Sequence, residues 1–400
     1  MMSENGEWRK LMQEKRLQYQ LEIQSRKIEN VLTKHDVAAR VAGGFVQPRW
    51  IRFDLAGHVG SNLDRLRNMK QELLSALGAA DGELSPHAGG WQLHIARTEE
   101  VPVSLFDLMA LTTGIQPMSV MLGLDEHGRP LCWQLSPDNL PHILISGMEN
   151  AGKTSLLRTV ALSLALLHRQ SQLQLMVIDG STAGKFEAYT ALEPLSYLPH
   201  MLSPVAYDAD DYREMLDFLS GECLYRQEQQ MTTPKIVVMI DEVVNLMRSG
   251  SENRQLVESL GLLLQRGPAV GIHLLLTTNN PESEQLNSTF RLNLPGRVVG
   301  KTRHEAQAAA AADLPATQAE YLLGQGDFLA VMDGAVTHFQ AAYIGEYDLQ
   351  LTLEALQRQR PQPLVAQQIS LESLAIKAEK PAQNQVQAFS ASASGIEFTS

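Results

Sequence analysis

Residues 141–168 read PHILISGMENAGKTSLLRTVALSLALLH. An apolar run ends at Ser146, eight residues GMENAGKT follow, and a long helix-forming stretch begins. Glycine, four arbitrary residues and then Gly-Lys-Thr, set between a buried strand and a helix, is the pattern and context of a phosphate-binding loop. Gly147 permits the tight turn out of the strand. The backbone N–H groups of Asn150 to Thr154, with the helix N-terminus, wrap phosphates. Lys153 reaches the β- and γ-phosphates, and the Thr154 hydroxyl ligates Mg²⁺. The nucleotide-binding segment so defined comprises Gly147, Met148, Glu149, Asn150, Ala151, Gly152, Lys153, Thr154 and Ser155. The alternative is a glycine-rich turn that carries Lys and Thr by chance.

A second stretch supplies the other half of a hydrolytic site. In KIVVMIDEVVNL (235–246) an apolar strand ends in Asp241-Glu242. Both carboxylates then sit at the C-terminal end of a strand, where ligands of open α/β sheets bind. Asp241 would support the Mg²⁺ shell, and Glu242 would orient the attacking water or take its proton. The alternative is a strand capped by two solvated acids. A third stretch, GIHLLLTTNNP (271–281), ends in Thr277, Thr278 and Asn279. A polar side chain at that strand end can sense a γ-phosphate, although Asn near Pro is also ordinary turn chemistry.

Working outward, LQLMVID (173–179), IHLLLTT (272–278) and GRVVGK (296–301) are further short apolar strands, and VMLGLDEHGRPLCWQL reads as a hairpin around Glu126-His127-Gly128. Strands alternating with helices give an α/β fold with a mostly parallel sheet covered on both faces. Upstream, residues 36–112 read as a small α/β domain. In it RWIRFDL and WQLHIAR are strands, residues 62–77 form an amphipathic helix, and DGELSPHAGG is a loop. Residues 1–35 are an N-terminal amphipathic helix, with Leu17, Leu21, Ile28, Val31 and Leu32 near one face. That helix either packs on its own body or docks a partner. The main domain spans 113–350. Residues 351–400 are the end of a helix and a Gln-, Ala- and Ser-rich tail expected to be disordered.

The 400 residues carry 45 acidic and 33 basic side chains, a formal net charge of −12. That balance argues against a protein coated by nucleic acid, yet allows DNA held by a few basic loops. Cys132 and Cys223 match no metal spacing and read as core filler in a reducing cytosol. No signal pattern is present, and the longest apolar stretch, Val160 to Leu167, is too short to span a membrane. A cytoplasmic protein without direct membrane insertion is expected.

Together these segments resemble the FtsK/SpoIIIE-type DNA translocases, within the larger group that includes HerA-like motors. The resemblance runs from about Ala42 to Val331. It includes LNLPGRVVGKT, EYLLGQGDFL and the small domain RWIRFDLAGHVGSNLDRLRNMKQELLSALG. It implies a RecA-like P-loop ATPase core, with ATP and Mg²⁺ as cofactors. It further implies a homo-oligomeric ring, a hexamer, that hydrolyses ATP between subunits and moves double-stranded DNA through nonspecific contacts to the phosphate backbone. Arg297 matches a family arginine and is the candidate for charge stabilisation across a subunit boundary.

The chain departs from the family in several places. The family commonly has Gln where Asn279 stands, and usually Arg where Pro268 stands, with Arg266 two residues earlier. Gly180-Ser181 replaces a common Pro-Lys, with Lys185 further on. No membrane-spanning N-terminus and no winged-helix domain are expected in this chain. Lys185, Arg248 and Arg254 lie in segments that either face DNA or are simply solvated. Two further functions stay open. One is a secretion-type motor that moves protein, favoured by the acidic charge. The other is a hydrolysis-deficient nucleotide-binding scaffold, favoured by Pro268 and Asn279.

Overall fold

Why the central strands read as unbroken apolar runs is explained by the computed structural model, which describes residues 19, 21–37, 39–46, 50–57, 63–79, 81–87, 90–96, 102–182, 191–248 and 253–358. Helix α1 (21–34) is followed by β1 (Ala39–Val46), β2 (Trp50–Gly57), α2 (Leu63–Leu77), β3 (Gly82–His87) and β4 (Gly90–Ala96). These four strands form an antiparallel sheet of order β1-β2-β4-β3. Ile28, Val31 and Leu32 of α1 and Met69 and Leu73 of α2 bury against Phe53, Leu55, Leu93 and Ile95 of this sheet. The described part of α1 therefore packs on its own body; Leu17 lies outside the described residues.

Two sequence expectations are corrected here. The stretch expected as a loop, DGELSPHAGG, contains β3. Gly82 and Pro86 read as turn residues, but β3 lies at the sheet edge, where a proline withdraws no ladder bond that a neighbour needs. The stretch before and through RWIRFDL, expected to hold one strand, belongs to two, β1 and β2, paired antiparallel.

The second sheet is built from β5 (Val103–Ser104), β6 (Ser119–Asp125), β7 (Pro130–Gln134), β8 (Ile143–Ser146), β9 (Leu173–Asp179), β10 (Lys235–Asp241), β11 (Ile272–Thr278), β12 (Gly296–Gly300), β13 (Asp327–Met332) and β14 (Ala335–Tyr343). The helices are α3 (Leu105–Leu111), α4 (Lys153–Leu167), α5 (Ala209–Gln229), α6 (Val243–Arg248), α7 (Asn253–Arg266), α8 (Ser288–Leu292), α9 (Glu305–Ala312) and α10 (Glu346–Arg358). Strand order is β7-β6-β14-β13-β12-β8-β11-β10-β9, with β5 beside β14. The five strands β12, β8, β11, β10 and β9 run parallel, and the β13, β14, β6, β7 side is antiparallel.

Each parallel strand is buried on both faces, which removes any polar alternation from its sequence. Val237, Met239 and Leu275 join the layer formed with α4, through Leu156, Leu157, Val160 and Leu164. Ile236, Val238, Ile240, Leu274 and Leu276 join the opposite layer, with α5, α6 and α7. The parallel register aligns the strand ends. Thr278 pairs with Ser146, and Asp241 with Asp179, so the carboxyl ends of β8, β9, β10 and β11 share one edge.

The small sheet meets the large one at a polar cluster. Arg52 of β2 reaches Glu126 at 2.5 Å. His338 of β14 touches the same carboxylate at 3.3 Å and Asp327 of β13 at 2.5 Å. The His94 ring of β4 stands edge-on to His338, centroids 6.1 Å apart. Burial opposes the charge on His338, but Asp327 and Glu126 outweigh it and raise its pKa to about 9. Burial, helped by the His338 charge, pushes His94 down to about 4. An unfolded histidine titrates near ~6.5. The His338 contribution to stability is therefore complete below that value and is lost as pH rises through 9. His94 acts oppositely, and its share is lost as pH falls from about 6.5 toward 4. Urea midpoints measured against pH should fall on both sides of a maximum near neutrality, and His338→Gln should flatten the alkaline side.

Candidate nucleotide-binding site

The phosphate loop is shaped by backbone that only certain residues accept. Asn150 has φ 63° and Gly152 φ 101°. A Cβ on Gly152 would stand 2.8 Å from the Gly326 nitrogen, closer than real contacts allow. Gly152 is also the N-cap of α4 and brings no side chain to cap it. The first turn of a buried helix is left facing the loop without a side-chain acceptor, and such an end attracts an anion. The loop is fastened from outside: Met148 N–H donates to the Lys301 carbonyl at 2.8 Å, and Gly326 N–H to the Ala151 carbonyl at 2.8 Å.

Lys153 is buried, its Nζ donating to the Gly147 and Met148 carbonyls at 3.0 and 3.2 Å and lying 3.2 Å from Glu242 Oε1. The Thr154 hydroxyl donates to Asp241 Oδ2 at 2.7 Å. The Thr277 hydroxyl donates to the other oxygen, Oδ1, and accepts from the Glu242 N–H at 2.9 Å. Burial pushes the Asp241 pKa up, the two threonine bonds pull it down, and the charges of Glu242 and Asp179 raise it further. Glu242 sits at φ 51° and accepts from the Asn279 N–H at 2.9 Å. Its carboxylate is thus shared between the Lys153 ammonium and the Asn279 N–H.

The structure thus brings together Lys153, Thr154, Asp241, Glu242 and the backbone of Asn279. The shorter Asn279 side chain does not decide the grip on Glu242, because the contact is through its main chain. Asp179 was missed by sequence reasoning, and Thr277, singled out only as a polar strand-end residue, was not seen as the partner of Asp241. Both end apolar strands with ordinary polar residues, and only register places them beside Asp241. The donor set is wholly oxygen: a hydroxyl 2.7 Å from a buried carboxylate, with two more carboxylates nearby. That fits Mg²⁺, which takes oxygen ligands from few protein groups. Thr154 and Asp241 are the residues that would hold it.

Beside the loop lies a cleft of about 490 Å³ lined by Val103, Asn150, Gly152, Ser155, Gln340 and Tyr343, among others. It is large enough for a nucleoside. Met148 is half-buried and Glu149 exposed.

Other expected residues are not brought to the loop. Arg297 is 2% exposed, donates to the Arg291 carbonyl at 2.9 Å and lies 3.9 Å from Asp313. Burial lowers its pKa to about 10. Its Cα pairs with Leu144, upstream of the loop on the neighbouring strand. The subunit-boundary role expected for it has no exposed guanidinium to carry it in this arrangement. Arg266 is exposed and precedes β11, at the edge opposite Thr278, and Pro268 is buried in a short 3-10 turn. Arg248 is exposed, and Arg254 pairs with Glu258 at 2.9 Å. Lys185 and residues 359–400 lie outside the described residues.

Residues 105–233 match the model of the FtsK/SpoIIIE family. The chain carries an FtsK/SpoIIIE-family domain. It is 26% identical over 381 residues to the DNA translocase SftA of Bacillus subtilis (strain 168), an alignment covering 88% of this chain and 39% of that one. The DNA translocase FtsK of Halalkalibacterium halodurans is 26% identical over 85% of this chain and 46% of its own length. The chain therefore spans less than half the length of these curated relatives. Among solved structures, the conjugation coupling protein TcpA of pCW3, with ATPγS, superposes with TM-score 0.56 at 15% identity, over 83% of this chain and 99% of that one. The cytoplasmic domain of the Thermomonospora curvata type VII secretion ATPase EccC gives TM-score 0.55 at 20% identity, over 66% and 35%. These two likenesses show that the chain shares its fold with these proteins. Among the described residues no helix is long and apolar enough to cross a membrane.

The bond between Thr277 and Asp241 predicts a measurable outcome. Thr277→Val keeps the shape and removes the hydroxyl. It should raise the Mg²⁺ concentration needed for tight nucleotide binding about tenfold or more, as read by titrating a fluorescent ATP analogue at varied Mg²⁺.

Proposed function

We propose that this chain is an ATP-dependent motor that moves along double-stranded DNA, working as a ring of six copies in the cytoplasm. The observation that carries the reading is the convergence of Lys153, Thr154, Asp241 and Glu242 at one sheet edge, with Lys153 and Thr154 inside the segment 105–233 that matches the FtsK/SpoIIIE-family model. The DNA translocases it aligns with support the choice of substrate. Residues 36–112 would be an accessory domain, and 113–350 the motor.

In this reading Asn150 to Thr154 cradle the triphosphate with backbone N–H groups. Lys153 exchanges its two carbonyl contacts and the Glu242 carboxylate for phosphate oxygens. Thr154 and Asp241 would hold Mg²⁺, which would supply neutralisation of the charge developing on the phosphates. Glu242, released from Lys153 but still held by the Asn279 N–H, orients the attacking water and takes its proton. The energetic work is positioning and electrostatics rather than covalent chemistry. A neighbour's arginine completes the charge; Arg266, which is exposed where Arg297 is buried, is the candidate. DNA is gripped through phosphates, so binding is insensitive to sequence and weakens with salt.

ATP hydrolysis measured with and without linear duplex DNA, at low and moderate salt, checks this. Duplex should raise the rate severalfold, the stimulation should fade as salt rises, and Lys153→Ala should be inactive. Nucleotide binding with no turnover in either condition would replace the motor by a scaffold. Turnover indifferent to duplex would point to a polypeptide substrate.

A further inference from the structure

Gln307 lies on α9, outside every segment that the phosphate chemistry uses, and is only 4% exposed. Its two amide ends do different things. Oε1 accepts from the Arg303 N–H at 2.8 Å, while the Gln307 N–H donates to Nδ1 of His304, the N-cap of α9, at 3.2 Å. That half is a reciprocal helix cap of a familiar kind, with a side chain at the third helical position reaching back to the entering chain. Nε2 does something a cap does not require. It donates to the Asn279 carbonyl at 3.2 Å. The N–H of the same Asn279 holds Glu242 Oε2 at 2.9 Å.

We propose that Gln307 is a positioning residue for hydrolysis: by fixing Asn279 from its carbonyl side it aims the N–H that holds Glu242, and it ties that aim to the Arg303-His304 turn. The inference rests on the reading of Glu242 as the group that handles the water. The local backbone explains why such a brace is needed. Asn279 and Asn280 come directly after β11 and belong to no helix or strand, so sheet hydrogen bonds do not fix them. Asn280 N–H is held by the Thr278 hydroxyl at 3.0 Å, which leaves the Asn279 carbonyl to Gln307. Arg303 and His304 are exposed, so the turn at the far end of the brace is open to whatever approaches this face.

Two substitutions separate bracing from capping. Gln307→Glu keeps the acceptor for Arg303 and loses the donor to Asn279. Gln307→Leu loses both. Bracing predicts that both lower kcat about tenfold, as expected for a reacting group misplaced by well under 1 Å, while ATP affinity stays within about twofold. Rates are compared below the melting temperature of both variants, so that the kcat loss is read on folded protein. In a Glu242→Ala background neither change should reduce the residual rate further, because the group being aimed is gone. A wild-type kcat in Gln307→Glu would reduce Gln307 to a helix cap and overturn the inference with the motor intact. An equal loss in the Glu242→Ala background would overturn it too, since the effect would then not pass through Glu242. Absence of hydrolysis by the unmodified chain would instead remove the reading of Glu242 itself, and the inference with it.

Discussion

Everything in the site hangs on one buried carboxylate. Asp241 ends β10 with 1% of its surface exposed and is held by two hydroxyls from two other elements, Thr154 at the start of α4 and Thr277 near the end of β11. An unpartnered carboxylate at that depth would be strongly penalised and would take up a proton. The threonines keep it an acceptor, and each bond also ties the phosphate loop or the neighbouring strand to β10. The same Thr277 hydroxyl accepts the Glu242 N–H, so a single side chain sets the positions of both acids.

The sheet makes this possible. Parallel strands bring all their carboxyl ends to one edge, and burial on both faces keeps those ends in fixed register. The order β12-β8-β11-β10-β9 puts the loop strand β8 beside β11, which in turn lies beside β10. The acids of β10 and the loop after β8 therefore face each other across the end of β11. The antiparallel strands contribute from the side. The turn that leads into β13 supplies the Gly326 N–H that fastens Ala151.

What the sequence disclosed and what it withheld depend on where each residue gets its partner. Lys153 and Thr154 are placed by their own loop, and Asp241 and Glu242 by their own strand, so local pattern suffices to find them. Asp179 and Gln307 gain meaning only from residues dozens of positions away, and nothing in their local sequence marks them; Thr277 was marked as a polar strand end, but its bond to Asp241 is set by register. Arg297 shows the reverse case. A motif drew attention to it, yet its strand position aims it into the protein, against the Arg291 carbonyl. The parallel strands were legible because burial on both faces makes them uniformly apolar. Strand β3 was not, since an edge strand tolerates the glycine and proline that elsewhere mark a loop.

The central claim is that Glu242 acts on water while Lys153, Thr154 and Asp241 hold the nucleotide. Its most direct test is the fate of radiolabelled ATP bound to Glu242→Gln, compared with the unmodified chain in the same single-turnover experiment. The account predicts that the variant binds ATP and Mg²⁺ as tightly as the unmodified chain and keeps the γ-phosphate intact while the unmodified chain releases it. Release at the same rate from both would contradict it, and would mean that the water is activated by a group elsewhere.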